Sequence, residues 1–137
     1  MTPKTKLLYI EASDLIQRWV IALLKQLDCE TTQARTLDKA RAKIEKELPF
    51  NIILLGDLTR PTDQISGIPI AELSIIKSIR ERTAYKNTTI IVFSSAAYEK
   101  EATRHGASDF LSKPAGAVEL ERILSPHLAV LRRSAGS

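Results

Sequence analysis

Four consecutive apolar residues, Ile52, Ile53, Leu54 and Leu55, stand between Pro49 on one side and Gly56 on the other. The run is too short for a helix of ordinary length, and breakers close it at both ends. It reads as a strand buried on both faces, the middle of a parallel sheet. Asp57 follows at the carboxyl end of that strand, the edge at which open α/β sheets bind their ligands. Pro61 stops the strand from continuing and pre-sets the loop beyond it. A strand-end aspartate also commonly opens a turn or caps a neighbour, so the run alone leaves the role of Asp57 open.

A buried central strand needs apolar helices on both faces, and the chain supplies them. Leu7 to Ile10 form a first short strand, followed at once by Glu11. Ser13 sits where an N-cap belongs, with Asp14 in the first turn. Behind it Leu15, Ile16, Trp19, Val20, Leu23, Leu24 and Leu27 recur at helical steps and predict an amphipathic helix with a broad core face. Residues 29–34 are a weak strand candidate. Thr36 caps a second helix, over 37–47, with Leu37, Ala40, Ile44 and Leu48 inward. The stretch 58–67 is polar and breaker-rich and reads as a loop. Pro69 suits a first helical position, and Leu73, Ile76 and Ile79 carry a third helix to about Arg82.

Residues 88–93 predict a third strong strand ending at Ser94 and Ser95, and a short helix over 99–105 ends at Gly106. The last strand is 109–112, meeting Lys113 and Pro114. A final helix over 117–131 carries Val118, Leu120, Ile123, Leu124 and Leu128, with Pro126 expected to bend or break it. The alternation of strands and helices implies a parallel sheet wrapped on both faces. One domain is expected over 5–130, with a flexible tail at 131–137.

Composition removes several function classes. The chain has 137 residues, 44% hydrophobic and 26% charged, which suits one globular domain. No apolar run approaches the ~18 residues of a membrane span, and the basic start, MTPKTK, lacks a cleavage site. The net charge is +4, but Lys and Arg are interspersed with Asp and Glu at helical spacings, as solvated helix faces are. No nucleic-acid partner and no membrane partner is expected. Cys29 is the only cysteine, so there is no disulfide within the chain, which fits a cytoplasmic protein. His105 and His127 read as surface residues.

The chemistry lies in the strand ends. Glu11, Asp57, Ser94 with Ser95, and Lys113 all terminate strands, and a parallel sheet collects those ends on one edge. Two carboxylates suit a hard cation such as Mg²⁺, an aspartate can attack phosphorus, and a lysine and a hydroxyl can hold phosphoryl oxygens.

In this pattern the chain resembles the receiver domain of two-component response regulators, the CheY-like family, over roughly residues 5–130. HGASDFLSKP at 105–114 carries the resemblance most specifically, with IILLGDLTRP and IIVFSS beside it. The resemblance implies a single-domain, doubly wound (βα)5 flavodoxin-like fold with strand order 2-1-3-4-5. It makes Asp57 the phosphoacceptor, Ser94 the switch hydroxyl, Lys113 its partner cation and Phe110 the aromatic that reports the active state. Glu11, Asp57 and the Thr59 main-chain carbonyl would hold Mg²⁺, and the peptide bond before Pro114 would be cis. A histidine kinase or histidine phosphotransfer protein would donate the phosphoryl group. Output would pass to a downstream protein or a homodimer through the last helix.

Three departures bear on this reading. Ala12 stands where the family has a second acid, so Mg²⁺ is expected to bind weakly; Asp14 is better explained by the helix terminus. The loop after Pro61 is longer, with Gly67 displaced, and Ser95 replaces a smaller residue. The alternative is a pseudo-receiver, a protein-interaction module that is never phosphorylated. A Toprim-type site would need an Asp-x-Asp pair where Thr59 stands, and an FMN protein a phosphate-cradling loop where the chain has EASD.

Overall fold

The computed structural model describes residues 4–46, 49–58 and 68–135. Five strands, β1 (Thr5–Ile10), β2 (Cys29–Ala34), β3 (Ile52–Leu55), β4 (Thr89–Ser94) and β5 (Asp109–Ser112), alternate with five helices. The helices are α1 (Asp14–Gln26), α2 (Leu37–Lys46), α3 (Ile70–Glu81), α4 (Glu99–His105) and α5 (Ala117–Ala135). The strands form one parallel sheet in the order β2-β1-β3-β4-β5, as expected.

The apolar run that ordered the sequence is the sheet's centre: Ile52, Ile53, Leu54 and Leu55 are all fully buried. Alternation along β1, β3 and β4 divides the core between the two faces. Tyr9, Ile52, Leu54 and Phe93 pack with Val20 and Leu24 of α1 and with Leu120 and Leu124 of α5. Ile10, Ile53, Leu55 and Val92 pack with Ala40 and Ile44 of α2, Ile76 and Ile79 of α3, and Ala102 of α4. Truncating one such Ile or Leu to Ala typically costs about 2–5 kcal/mol.

Local signals placed the helix ends well. Ser13 caps α1, its Oγ accepting the Leu15 N–H at 3.3 Å, and Thr36 Oγ1 accepts the Lys39 N–H at 3.1 Å. Gly106 closes α4 in the left-handed region at φ 117°. A side chain there would collide with Arg80, whose Nε donates to the Gly106 carbonyl at 2.8 Å and whose Nη1 donates to Tyr85 O at 3.1 Å. That arginine ties α3 to the end of α4, a brace no sequence pattern announced.

Several expectations change. Pro69 is the N-cap of α3 rather than its first residue, and a 3₁₀ turn, Thr83–Tyr85, follows that helix. Pro126 does not break α5, which runs on through it to Ala135, a turn past the expected end. The buried Leu124 and Leu128 flank Pro126 and hold both halves of the helix to the sheet. Leu15 and Val118, expected inward, are 90% and 66% exposed. Both lie in the first turn of a helix that starts at the carboxyl edge of the sheet, so the periodic stripe overhangs its end. His127 is not a simple surface residue: its Nε2 lies 2.5 Å from Asp109 Oδ2, joining α5 to β5. Leu48 lies outside the described residues. Among the described residues no helix is long and apolar enough to cross a membrane.

Candidate functional site at the carboxyl edge of the sheet

Glu11 leaves β1 as the chain turns toward α1, and its side chain is completely buried. The geometry depends on Gly56: a Cβ there would stand 2.2 Å from Glu11 Oε1. Glycine therefore opens the notch in which the carboxylate lies. Oε1 accepts the Asp57 N–H at 3.2 Å and Lys113 Nζ at 2.8 Å, and Oε2 accepts the Ser13 N–H at 3.1 Å. The Ala12 N–H donates to the Asp57 carbonyl at 3.0 Å, fastening the loop after β1 to the one after β3.

Asp57 presents its carboxylate to the end of β4. Oδ1 accepts the Ser94 hydroxyl. Oδ2 accepts the Ser95 N–H at 3.1 Å, the Ser95 hydroxyl at 2.9 Å and Lys113 Nζ at 3.0 Å. Burial alone would raise the Asp57 pKa, but the Ser94 and Ser95 bonds and the Lys113 charge outweigh it and hold the group below the usual carboxylate range. Ser94 is fully buried, and its Oγ also accepts the Ala96 N–H at 3.0 Å.

Lys113 stands one residue past β5, positioned by its N–H donating to Ser94 O at 2.8 Å. Its ammonium bridges both carboxylates and lies 5.3 Å from the centroid of the Phe93 ring, a cation–π distance. The Lys113–Pro114 peptide is cis. Residues 11, 57, 94 and 113, distant in sequence, thus meet around one carboxylate. Phe110 lies beside this centre, half-buried, its ring edge-on to Tyr98 at 5.2 Å.

Ser95, named with Ser94 at the end of its strand, gives Asp57 both an N–H and a hydroxyl. One member escaped sequence reasoning. Tyr98 carries no motif, and only the path of the β4–α4 loop puts it here. Asp14 turns away from the centre and pairs with Arg35.

The donor set suits a divalent cation only in part. Carboxylate oxygens are the right chemistry for Mg²⁺, and among the described residues Glu11 Oε2 and Asp57 Oδ1 each accept a single bond. Position 12 offers only a methyl group, and Lys113 already occupies the space between the acids. Among the described residues no group of three or more His, Cys, Asp and Glu side chains could hold a metal. Thr59, Pro61 and Gly67 lie outside the described residues.

By sequence, the chain matches no protein-family model and no curated protein. By structure it is similar to many solved receiver domains. The chemotaxis protein CheY4 of Vibrio cholerae superposes with a TM-score of 0.74 at 22% identity, over 90% of this chain and 98% of that one. A signal receiver domain of a histidine kinase from Clostridium thermocellum gives 0.77 at 16% identity, over 90% and 97%. The receiver domain of a sensor histidine kinase from Pseudomonas aeruginosa, described with a magnesium ion coordinated in its active site cleft, gives 0.73 at 22%, over 93% and 99%. This chain has the fold of the CheY-like response-regulator receiver domains.

Proposed function

We propose that this domain is a phosphorylation-dependent switch of the cytoplasm. It takes a phosphoryl group on Asp57 from a histidine kinase or a histidine phosphotransfer protein. The observation that carries this reading is the convergence of Ser94 and Lys113 on one carboxylate, held ionised by their bonds.

The chemistry follows from the donors. A carboxylate oxygen of Asp57 attacks phosphorus, the phosphorus–nitrogen bond to the donor histidine breaks, and its electron pair returns to the imidazole. Among the described residues Oδ1 meets one donor and Oδ2 three, which makes Oδ1 the better nucleophile. Lys113 and Ser94 then pass from carboxylate to phosphoryl oxygens, where positive charge and hydrogen bonds stabilise the developing negative charge. Bound Mg²⁺ would supply further neutralisation there. Glu11 and Asp57 would hold it with the Thr59 carbonyl, weakly because Ala12 contributes no oxygen. Attack by water on the acyl phosphate resets the switch, and output passes to a partner protein or a second copy through α5.

The test is intact-mass spectrometry after incubation with phosphoramidate and Mg²⁺, beside Asp57→Asn and a metal-free sample. A one-phosphate gain on the wild type, lost in Asp57→Asn, supports the proposal; a folded protein that gains nothing overturns it. The second reading, a pseudo-receiver, rests on the bridge from Lys113 to both acids, which satisfies the carboxylates without a metal. Magnesium titration separates the two, since a pseudo-receiver binds none at millimolar concentration.

A further inference from the structure

Among the described residues, Ile68 and Ile70 are exposed by 41% and 50%, one on each side of the buried Pro69 at the start of α3. A single exposed apolar side chain needs no explanation, but Ile70 also opens a groove. Ile70, Leu73, Ser74 and Lys77 form one stripe of α3 at helical steps. With His105 at the end of α4 they line a recess of about 310 Å³. That volume stands at the low end of the roughly 300–1,000 Å³ of small-molecule pockets, and the recess is open to solvent. It suits side chains presented by another chain better than an enclosed ligand.

The charges around this groove have one sign. Lys77 is exposed at one end of the stripe. Arg41 of α2 donates through Nη2 to Ser74 Oγ at 3.0 Å, which brings a second cation to the edge. His105 donates its Nδ1–H to Glu101 O at 2.7 Å, since a carbonyl only accepts, and this leaves Nε2 for a partner. Among the described residues no carboxylate lines the groove. The acids of α4 lie on its other side, where Glu99 and Glu101 line the recess against β5 with Phe110. Glu81 stands one turn past Lys77 on α3, outside the groove.

We propose that the groove between α3 and α4 docks an acidic amphipathic helix of a partner protein. The stripe from Ile70 to Lys77 covers about two turns or 10 Å. An apolar residue of the partner would rest on Ile70 and Leu73. A carboxylate one helical turn along would then reach Lys77 and Arg41. A nucleic-acid backbone would use the cations but leave the apolar floor unpaired. Helices α3 and α4 pack on the sheet face opposite α1 and α5, so a partner seated here leaves α5 accessible to another. The proposal does not depend on Asp57 being the phosphoacceptor.

The test is amide NMR of the isotopically labelled full chain, titrated with an alanine-based helical peptide of about 15 residues. The peptide carries leucine and glutamate one turn apart on one face. Amide shifts should gather on residues 70–77 and at His105. Lys77→Glu, a change at an exposed position, should weaken binding about fivefold, from one attraction lost and one repulsion gained. Ile70→Ala should weaken it several-fold with no change in charge. A peptide with lysine in place of glutamate should bind Lys77→Glu better than it binds the wild type. Absence of shifts in this groove, shifts confined to α5, or equal binding of both peptides by the wild type overturns the proposal. So does a single-stranded oligonucleotide that shifts the same amides and binds more tightly than the glutamate peptide, which would assign the groove to nucleic acid.

Discussion

Replacing Lys113 by Met keeps an unbranched apolar stem of similar size and removes the ammonium that bridges the two acids at 2.8 and 3.0 Å. Glu11 is fully buried, Asp57 is 19% exposed and Lys113 16%, so solvent does little to screen the loss. Removing one partner of a buried pair typically costs about 3–5 kcal/mol, because the remaining charge stays buried and uncompensated. The residual exposure and the backbone N–H groups on Glu11 put this case near the lower end, about 3 kcal/mol at pH 7. The cost should depend on pH in a definite direction. Without the ammonium, two adjacent carboxylates repel and the pair takes up a proton more readily than in the unfolded chain, where carboxyls titrate near pH 4. A folded-state pKa raised in this way means stability that is present at low pH and lost as pH rises. The variant's deficit should therefore be small near pH 4.5 and largest near pH 7. Urea unfolding of both proteins at the two pH values measures it. A deficit under about 1 kcal/mol at pH 7, or one independent of pH, would refute the assignment of Lys113 as the cation that balances this site.

Three other substitutions probe the same centre. Ala12→Asp supplies the missing acid beside Glu11 and should raise Mg²⁺ affinity at least about tenfold, read by titration calorimetry; a second acid is worth several kcal/mol of Coulomb energy at short range before desolvation. Asp57→Asn removes a carboxylate whose pKa is held down. Its ionic contribution to stability is present above about pH 3.9, the unfolded value, and is lost as pH falls through the lower folded one. Between pH 5 and pH 2 the wild type should therefore lose more stability than the variant, and parallel acid-unfolding curves would contradict this. Gly56→Ala places a Cβ 2.2 Å from Glu11 Oε1, an oxygen held by two donors and unable to step aside freely. It should lower stability by about 1–3 kcal/mol, and Glu11→Ala in the same background should recover part of that loss in thermal unfolding.

What the sequence discloses about this fold and this site differs in kind. Buried strands declare themselves because a residue covered from both sides must be apolar whatever its neighbours do, which is why Ile52 to Leu55 and residues 88–93 were legible. Strand ends were legible too, and with them Glu11, Asp57, Ser94 and Lys113, because a parallel sheet fixes where its carboxyl edge lies. Helical periodicity said less: it identifies a face but not how far the sheet extends beneath it, so Leu15 and Val118 fit the stripe and still stand in solvent. Pro126 shows the converse, a local breaker overridden by leucines on either side of it. The parts that no pattern marks depend on how loops close. Gly56 matters because Glu11 folds back over it, Ser95 because the chain curls past β4 toward Asp57, and Tyr98 because the same loop sets its ring edge-on to Phe110. Each is an ordinary residue type whose role is set by an approach across the sheet edge. Such approaches are also where this chain differs from a generic acidic pocket: one acid fewer, one hydroxyl more, and a lysine holding both carboxylates. The strand pattern specifies the fold and brings the four side chains to one edge, whereas the loop contacts set which donors each carboxylate meets.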